Sequence, residues 1–332
     1  MVVDFPERVV HGGIGKQQRE KTRKKLLDFS ASVNPLPPSF AWSCDPSCLS
    51  QYPDNDYTLL KEIIARTFHR KPTEVCVGNG SMELIRVFCS VMLDGAKKYC
   101  TESLTFGEYS LSARLTGATA AASCSGVDVS FICNPNNPTG MLRKRDDVLS
   151  HVKEMASHGG TVFVDEAFIE LADPSQSLTD RHDRNLFVLR SLTKSFAVPG
   201  IRFGYGFGNP DIIDKMEVVR PPWSVNAYAE AFASEAFRHM DMLESSREFI
   251  RKEREWLGSG ISSCGLYCYP SSANYLLVEY GQDVVPLCAK LERSGILVRD
   301  CTSFGLPTCI RVAVRTHGEN KALVEALSAC VH

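Results

Sequence analysis

Ser191-Leu192-Thr193-Lys194, followed by Ser195 to Pro199 and then by Gly200-Ile201-Arg202, places one lysine between a hydroxyl and an arginine. An amine is nucleophilic only when it can shed its proton, and partial burial beside a cation lowers a lysine pKa toward that condition. Arg202 supplies such a cation, and together with Ser191 it also supplies ligands for a phosphate. The stretch therefore suits a lysine that condenses with a phosphorylated aldehyde. Ser-x-x-Lys before Gly-x-Arg is short enough to occur in an ordinary surface loop, so the reading depends on its surroundings.

Working outward, Leu186 to Leu189 precede the lysine and Phe203 to Phe207 follow the arginine, and both are short apolar runs. Val75-Cys76-Val77, Val129 to Cys133 and Thr161 to Val164 are of the same kind. Continuous apolar runs of this length, bounded by Gly, Asn or Asp and separated by helical patterns, predict strands buried on both faces. The expected fold is α/β, a mostly parallel sheet between two layers of helices. Met82 to Leu93, apolar on all sides, is expected to be one buried helix. From about Ala236 a long charged amphipathic helix runs through Trp256. Strand candidates Tyr275 to Val278, Ile296 to Arg299 and Ile310 to Val314 follow it, predicting a smaller α+β domain. The expected division is an N-terminal arm over 1–44, a large domain over 45–235 and a small C-terminal domain over 236–332.

Further motifs fall at strand ends. Gly78-Asn79-Gly80-Ser81 follows a strand and opens a helix, where backbone amides, the helix dipole and the Ser81 hydroxyl favour a phosphate. The same string also reads as an ordinary serine cap after a glycine turn. Asn134-Pro135-Asn136-Asn137-Pro138-Thr139-Gly140 is a stiff loop whose side-chain amide suits a phenolic oxygen. Val164-Asp165-Glu166-Ala167 ends a third apolar run with a carboxylate that needs a charged partner. The protonated pyridine nitrogen of pyridoxal 5'-phosphate is such a partner, and the pairing keeps the ring an electron sink.

In this order, the motifs resemble the fold type I pyridoxal-phosphate enzymes of the aminotransferase superfamily, and the resemblance spans nearly the whole chain. It implies a three-layer αβα transferase fold in which Lys194 binds the cofactor covalently, Asp165 pairs with its ring nitrogen and Asn137 holds its ring oxygen. Gly80, Ser81, Met82, Ser191 and Arg202 become the phosphate site. Phe106, in Thr105-Phe106-Gly107-Glu108-Tyr109, stacks on the ring. Tyr52, in Gln51-Tyr52-Pro53-Asp54, crosses into the partner's site of a homodimer, and Arg311 takes the substrate carboxylate.

Two branches of the superfamily are most similar, the histidinol-phosphate aminotransferases and the threonine-phosphate decarboxylases of cobalamin biosynthesis. His11-Gly12-Gly13, Asp28 to Leu36, Pro222 to Ala227, Ile296 to Cys301 and the phenylalanine at 168 side with the second. That branch implies decarboxylation of O-phospho-L-threonine to (R)-1-amino-2-propanol O-2-phosphate. The other implies transamination of histidinol phosphate with 2-oxoglutarate. On the decarboxylase reading Arg299 and Arg315 join His11 and Asn34 around the phosphorylated amino acid, because arginine forks suit a phosphate dianion. Surface ion pairing is the other reading of these two arginines. The chain departs from its relatives in the very short connection between the strand near Ala118 and the one near Val129.

Composition excludes several other classes. The chain of 332 residues is 44% apolar and 23% charged, with a net charge of -2. Nothing in that balance attracts a polyanion, and the basic runs Arg143-Lys144-Arg145 and Lys21 to Lys25 read as solvated faces. Neither nucleic acid nor a membrane is therefore an expected partner. Met1-Val2-Val3-Asp4 lacks the pattern of a secretion signal, so the expected location is the cytoplasm. The 13 cysteines are an odd number and lie singly in apolar segments, which predicts reduced thiols filling the core. The pairs Cys44/Cys48 and Cys264/Cys268 are not spaced as metal knuckles, and no metal is expected.

Overall fold

A computed structural model describes residues 6–13 and 26–331, and both Met1 to Asp4 and the basic run Lys21 to Lys25 lie outside the described residues. The first strand, β1 (Leu27–Asp28), is short. The next seven are β2 (Val75–Asn79), β3 (Lys98–Thr101), β4 (Thr119–Ala120), β5 (Val129–Cys133), β6 (Thr161–Asp165), β7 (Leu186–Ser191) and β8 (Phe203–Gly208). They form one sheet in the order β2-β8-β7-β6-β5-β3-β4. Strands β3 to β7 pair in parallel, and β8 is antiparallel to both of its neighbours. Only β8 is therefore reversed. Every residue of β5, β6 and β7 is buried, as expected of strands covered on both faces.

One face packs under the helix Ser81–Met92, where Phe88 meets Phe163 at 4.8 Å and Phe187 at 5.1 Å between ring centroids. The opposite face is covered by Val148, Val152 and Met155 of the helix Arg145–Ser157. A third apolar cluster runs from Phe29 and Leu60 through Phe203 and Ile250 to Ile310 and Leu327.

The C-terminal strands are β9 (Tyr267–Cys268), β10 (Tyr275–Glu279), β11 (Ile296–Leu297), β12 (Arg299–Asp300) and β13 (Cys309–Ala313). Four of them form an antiparallel sheet in the order β12-β13-β10-β9. The run Ile296 to Arg299, expected as one strand, is two. Leu297 pairs with Asp28 of β1, whereas Arg299 pairs with Arg311 of β13. Changing partner at Val298 breaks the ladder, and it sets the two arginines side by side across adjacent strands. The amphipathic helix begins later than expected, at Leu243, after a 3-10 segment Phe237–Met242 kinked at His239, and continues to Ser263.

Cysteine chemistry needs a correction. Cys100 on β3 and Cys124 form a disulfide, with Cα atoms 5.3 Å apart. The short connection between β4 and β5 folds Cys124 back over β3, which the scattering of cysteines along the sequence did not reveal. Among the described residues no cluster of three or more His, Cys, Asp or Glu is arranged to hold a metal, and no helix is long and apolar enough to cross a membrane.

Candidate active site

Because β2 and β5 to β7 point the same way, their carboxyl ends share one edge of the sheet. The reversed β8 brings its amino end, and with it Arg202, to that same edge. Ligands favour this edge in open α/β sheets. A cavity of about 510 Å³ opens there, lined among others by Ser81, Met82, Phe106, Asn137, Asp165, Ser191, Lys194, Arg202, Arg299 and Arg311.

At one end of the cavity the glycines set the spacing. Gly80 has φ +78°, and a Cβ there would stand 2.3 Å from Arg202 Nη2. A Cβ on Gly204 of β8 would stand 2.3 Å from Ser81 N. Only glycine at both positions lets the Arg202 guanidinium and β8 press against the start of the helix Ser81–Met92. Ser191 faces the same space and caps the turn Leu192–Ser195, its Oγ accepting from Thr193 N at 3.3 Å. Hydroxyls, a helix start and a guanidinium around one gap are the donor set a phosphate monoester requires.

In the middle, Asp165 ends β6. Its Oδ2 accepts from Tyr109 Oη at 2.7 Å and its Oδ1 from Ala167 N at 2.9 Å. Burial pushes the Asp165 carboxyl up to about 6, against the pull of those two hydrogen bonds. Lys194 is brought down to about 8, first by burial and then by Arg311 and Arg202. Its Nζ lies 5.6 Å from the centre of the Phe168 ring. A buried carboxylate flanked by a neutralisable lysine suits a protonated ring nitrogen, so the cavity fits pyridoxal 5'-phosphate.

The far wall carries Arg311 and Arg299. Arg311 donates through Nη1 to Asn137 Oδ1 and through Nη2 to Ser30 O at 3.2 Å, while its buried Nε has no partner among the described residues. Asn137 lines the cavity beside it. Arg299 donates to Asp300 O at 2.6 Å, Val10 O at 2.8 Å and Ser303 Oγ at 2.6 Å. His11 lines the same wall with its Nε2 2.9 Å from Glu108 Oε1.

Three of the expected site residues lie outside this chain's cavity. Asn34 spends its amide on Ser195 O at 2.7 Å and Ser246 Oγ at 2.9 Å, and its Oδ1 accepts from Leu36 N, so it holds the chain behind Lys194 instead of facing substrate. Arg315 donates to Asp28 O at 3.0 Å and pairs with Glu319 at 2.8 Å outside the cavity, which is the ion-pairing reading. Tyr52 is 79% exposed, stacks on Trp223 at 4.4 Å and does not reach this chain's cavity.

Sequence reasoning passed over Tyr109 and Ser32. Tyr109 follows Phe106 by three residues, in the first turn of the helix Glu108–Arg114, and its ring packs edge-on against that of Phe106 at 5.6 Å. The Ser32 hydroxyl is buried, without a partner among the described residues, and lines the cavity two positions before the asparagine expected to do so.

The family profile of aminotransferase class I and II matches residues 44–327. A protein of Caldanaerobacter subterraneus subsp. tengcongensis, provisionally named threonine-phosphate decarboxylase, is 34% identical over 326 residues, covering 90% of this chain and 88% of that protein. The crystal structure of the histidinol-phosphate aminotransferase from Clostridium acetobutylicum superposes with a TM-score of 0.82 at 28% identity, covering 92% of this chain and 99% of that one. That of Sinorhizobium meliloti histidinol-phosphate aminotransferase, in complex with pyridoxal 5'-phosphate, gives 0.82 at 20% identity, covering 96% and 95%. With this match and the cavity described, the chain belongs to the aminotransferase class I and II family, an enzyme whose cofactor is pyridoxal 5'-phosphate.

Proposed function

We propose that the protein decarboxylates O-phospho-L-threonine to (R)-1-amino-2-propanol O-2-phosphate, a step of cobalamin biosynthesis. The observation that carries this reading is Phe168, which packs edge-on against Tyr275 at 5.1 Å beside Lys194 and offers no hydroxyl. The resemblance assigns a tyrosine to that position in the aminotransferase branch, where it would donate to the cofactor's ring oxygen. The identity to the Caldanaerobacter protein supports the same branch.

Bound cofactor supplies an electron sink for the bond broken at the substrate Cα. Asp165 keeps negative charge beside the ring nitrogen, and Asn137 donates to the ring oxygen. Ser81, Ser191, Arg202 and the Met82 amide hold the cofactor phosphate. Arg311 and Arg299 would fix the two anionic ends of the substrate and thereby set how the bonds at Cα are presented. After carbon dioxide leaves, Lys194 Nζ returns a proton to Cα. The protein works as a cytoplasmic homodimer, in which the exposed Tyr52 enters the partner's cavity.

The overlap with the Clostridium acetobutylicum enzyme favours a second reading, transamination of histidinol phosphate with 2-oxoglutarate. One experiment separates the two. With phosphothreonine and no keto acid, the decarboxylase releases carbon dioxide over many turnovers. A requirement for 2-oxoglutarate, with glutamate formed and histidinol phosphate preferred, establishes the second reading.

A further inference from the structure

A groove of about 540 Å³ lies apart from the cofactor cavity and shares none of its lining residues. One wall is 171–174, which continues the 3-10 turn Ile169–Leu171 behind Phe168, and the other is the helix Leu243–Ser263. A groove of that size takes a small metabolite, not just an ion. Arg247, Arg251 and Arg254 stand at i, i+4 and i+7 of the helix, a spacing that puts all three on the face lining the groove.

The carboxylates along the groove are already committed. Glu244 pairs with Arg247, and Glu248 pairs with Lys252 at 2.7 Å. Asp173 accepts from Ser175 N at 3.0 Å, Ser175 Oγ at 2.6 Å and Gln176 Nε2 at 3.3 Å. Arg251 meets Glu255 at 3.3 Å, with both side chains more than half exposed. Arg254 has no carboxylate within ion-pair reach among the described residues. Its Nη1 donates to Ser272 O and Ala273 O, each at 3.0 Å, and its Nε and Nη2 are without a partner among the described residues. Burial opposes its charge first, and Arg251 opposes it further, while Glu255 supports it only from beyond contact. A partly buried guanidinium served by two carbonyls alone is matched by an anion brought from outside.

Arg254 also ties the groove to the cofactor cavity. Ser272 N donates to Gly140 O at 2.8 Å, and Tyr275 donates to Asn136 O at 2.8 Å and packs on Phe168. Both walls of the groove therefore run, within three residues, into the aromatic pair beside Lys194.

We propose that this groove is a second ligand site, for a small metabolite whose phosphate or carboxylate meets Arg254 and Arg251, and that its occupant braces 169–174 against the helix behind Phe168.

The test is hydrogen–deuterium exchange of the holoenzyme, read by mass spectrometry over 169–176, with inorganic phosphate and with succinate, each against sodium chloride at equal ionic strength. Slower exchange with phosphate alone assigns a phosphate ester, with succinate alone a carboxylate, and with both an oxyanion of either kind. Arg254→Gln, which keeps an amide donor for the two carbonyls, raises the anion concentration needed by at least about tenfold, as expected for losing one partner of a desolvated charge pair. Arg299→Ala, in the cofactor cavity, leaves the response over 169–176 intact. No slowing with either anion, undiminished slowing in Arg254→Gln, or loss of the response in Arg299→Ala overturns the proposal. Should Arg254→Gln fail to fold, Arg251→Gln, at an exposed position, decides: a weakened response supports the site and an undiminished one overturns it. No turnover is measured, so the outcome is independent of which reaction the enzyme performs.

Discussion

Tyr109 donates its hydroxyl to Asp165 at 2.7 Å, and both residues are buried at the cavity wall. The phenol holds Oδ2 in place while Ala167 N holds Oδ1, so the carboxylate meets a cation in the cavity in a fixed orientation. Tyr109→Phe removes one donor to a buried carboxylate, a loss of about 1–3 kcal/mol for a charged partner. The expected result is a measurably weaker affinity for pyridoxal 5'-phosphate and an Asp165 that titrates higher. Equilibrium dialysis of the cofactor against wild type and variant measures it.

Asp165→Asn is expected to retain the cofactor and lose most turnover, since a neutral amide cannot keep the ring nitrogen protonated. Turnover within a few-fold of wild type would remove Asp165 from that role. Borohydride reduction followed by peptide mapping is expected to leave the pyridoxyl group on Lys194, and a label on another lysine ends that assignment.

The lowered proton affinity of Lys194 gives a pH dependence with a definite sign. Only the neutral amine reacts with an aldehyde, and Lys194 loses its proton near about 8 where a free lysine would need about 10.4. Reconstitution of the apoenzyme with cofactor is therefore expected to accelerate about tenfold per pH unit below that point and to level off above it. Stopped-flow absorbance across pH 6 to 10 tests this. Acceleration continuing to pH 10 would mean that burial and the two arginines do not act on Lys194 as described.

Arg299 and Arg315, equivalent in the sequence, are expected to behave differently. Arg299→Ala raises KM for the phosphorylated substrate by about a hundredfold, in line with about 2–5 kcal/mol for losing one partner of a buried charge pair. Arg315→Ala leaves KM within about twofold and lowers stability by at most about 1 kcal/mol, because its pair with Glu319 is partly solvated. Arg202→Ala weakens the cofactor itself, read as its dissociation constant.

The central sheet was legible because its strands are continuous apolar runs, and Val129 to Cys133 was read to the residue. The cofactor edge was legible because Ser81, Asn137, Asp165 and Lys194 lie at or shortly after the ends of such runs and Arg202 directly before one. What escaped depends on partners distant in sequence. Asn34 and Arg315 carry the right chemistry, but hydrogen bonds to Ser246 and Glu319 commit it elsewhere. The split at Val298 arises because Leu27 and Asp28 claim half of the run, and no local pattern encodes that claim. The bond between Cys100 and Cys124 likewise follows from where a short loop lands.

The single reversed strand has a consequence for how the site tolerates change in chain length. Because β8 returns directly to the edge from which β7 departs, Lys194 and Arg202, the proposed covalent anchor and counter-charge, sit on one connection with no helical crossover between them. Their separation is fixed by seven intervening residues, Ser195 to Ile201, much as a buckle is fixed to its strap. An insertion or deletion within that connection changes the reach between the cofactor's two attachment points directly. One in the loop after β4, on the sheet's outer margin, leaves that reach untouched, and this chain's shortened connection lies there.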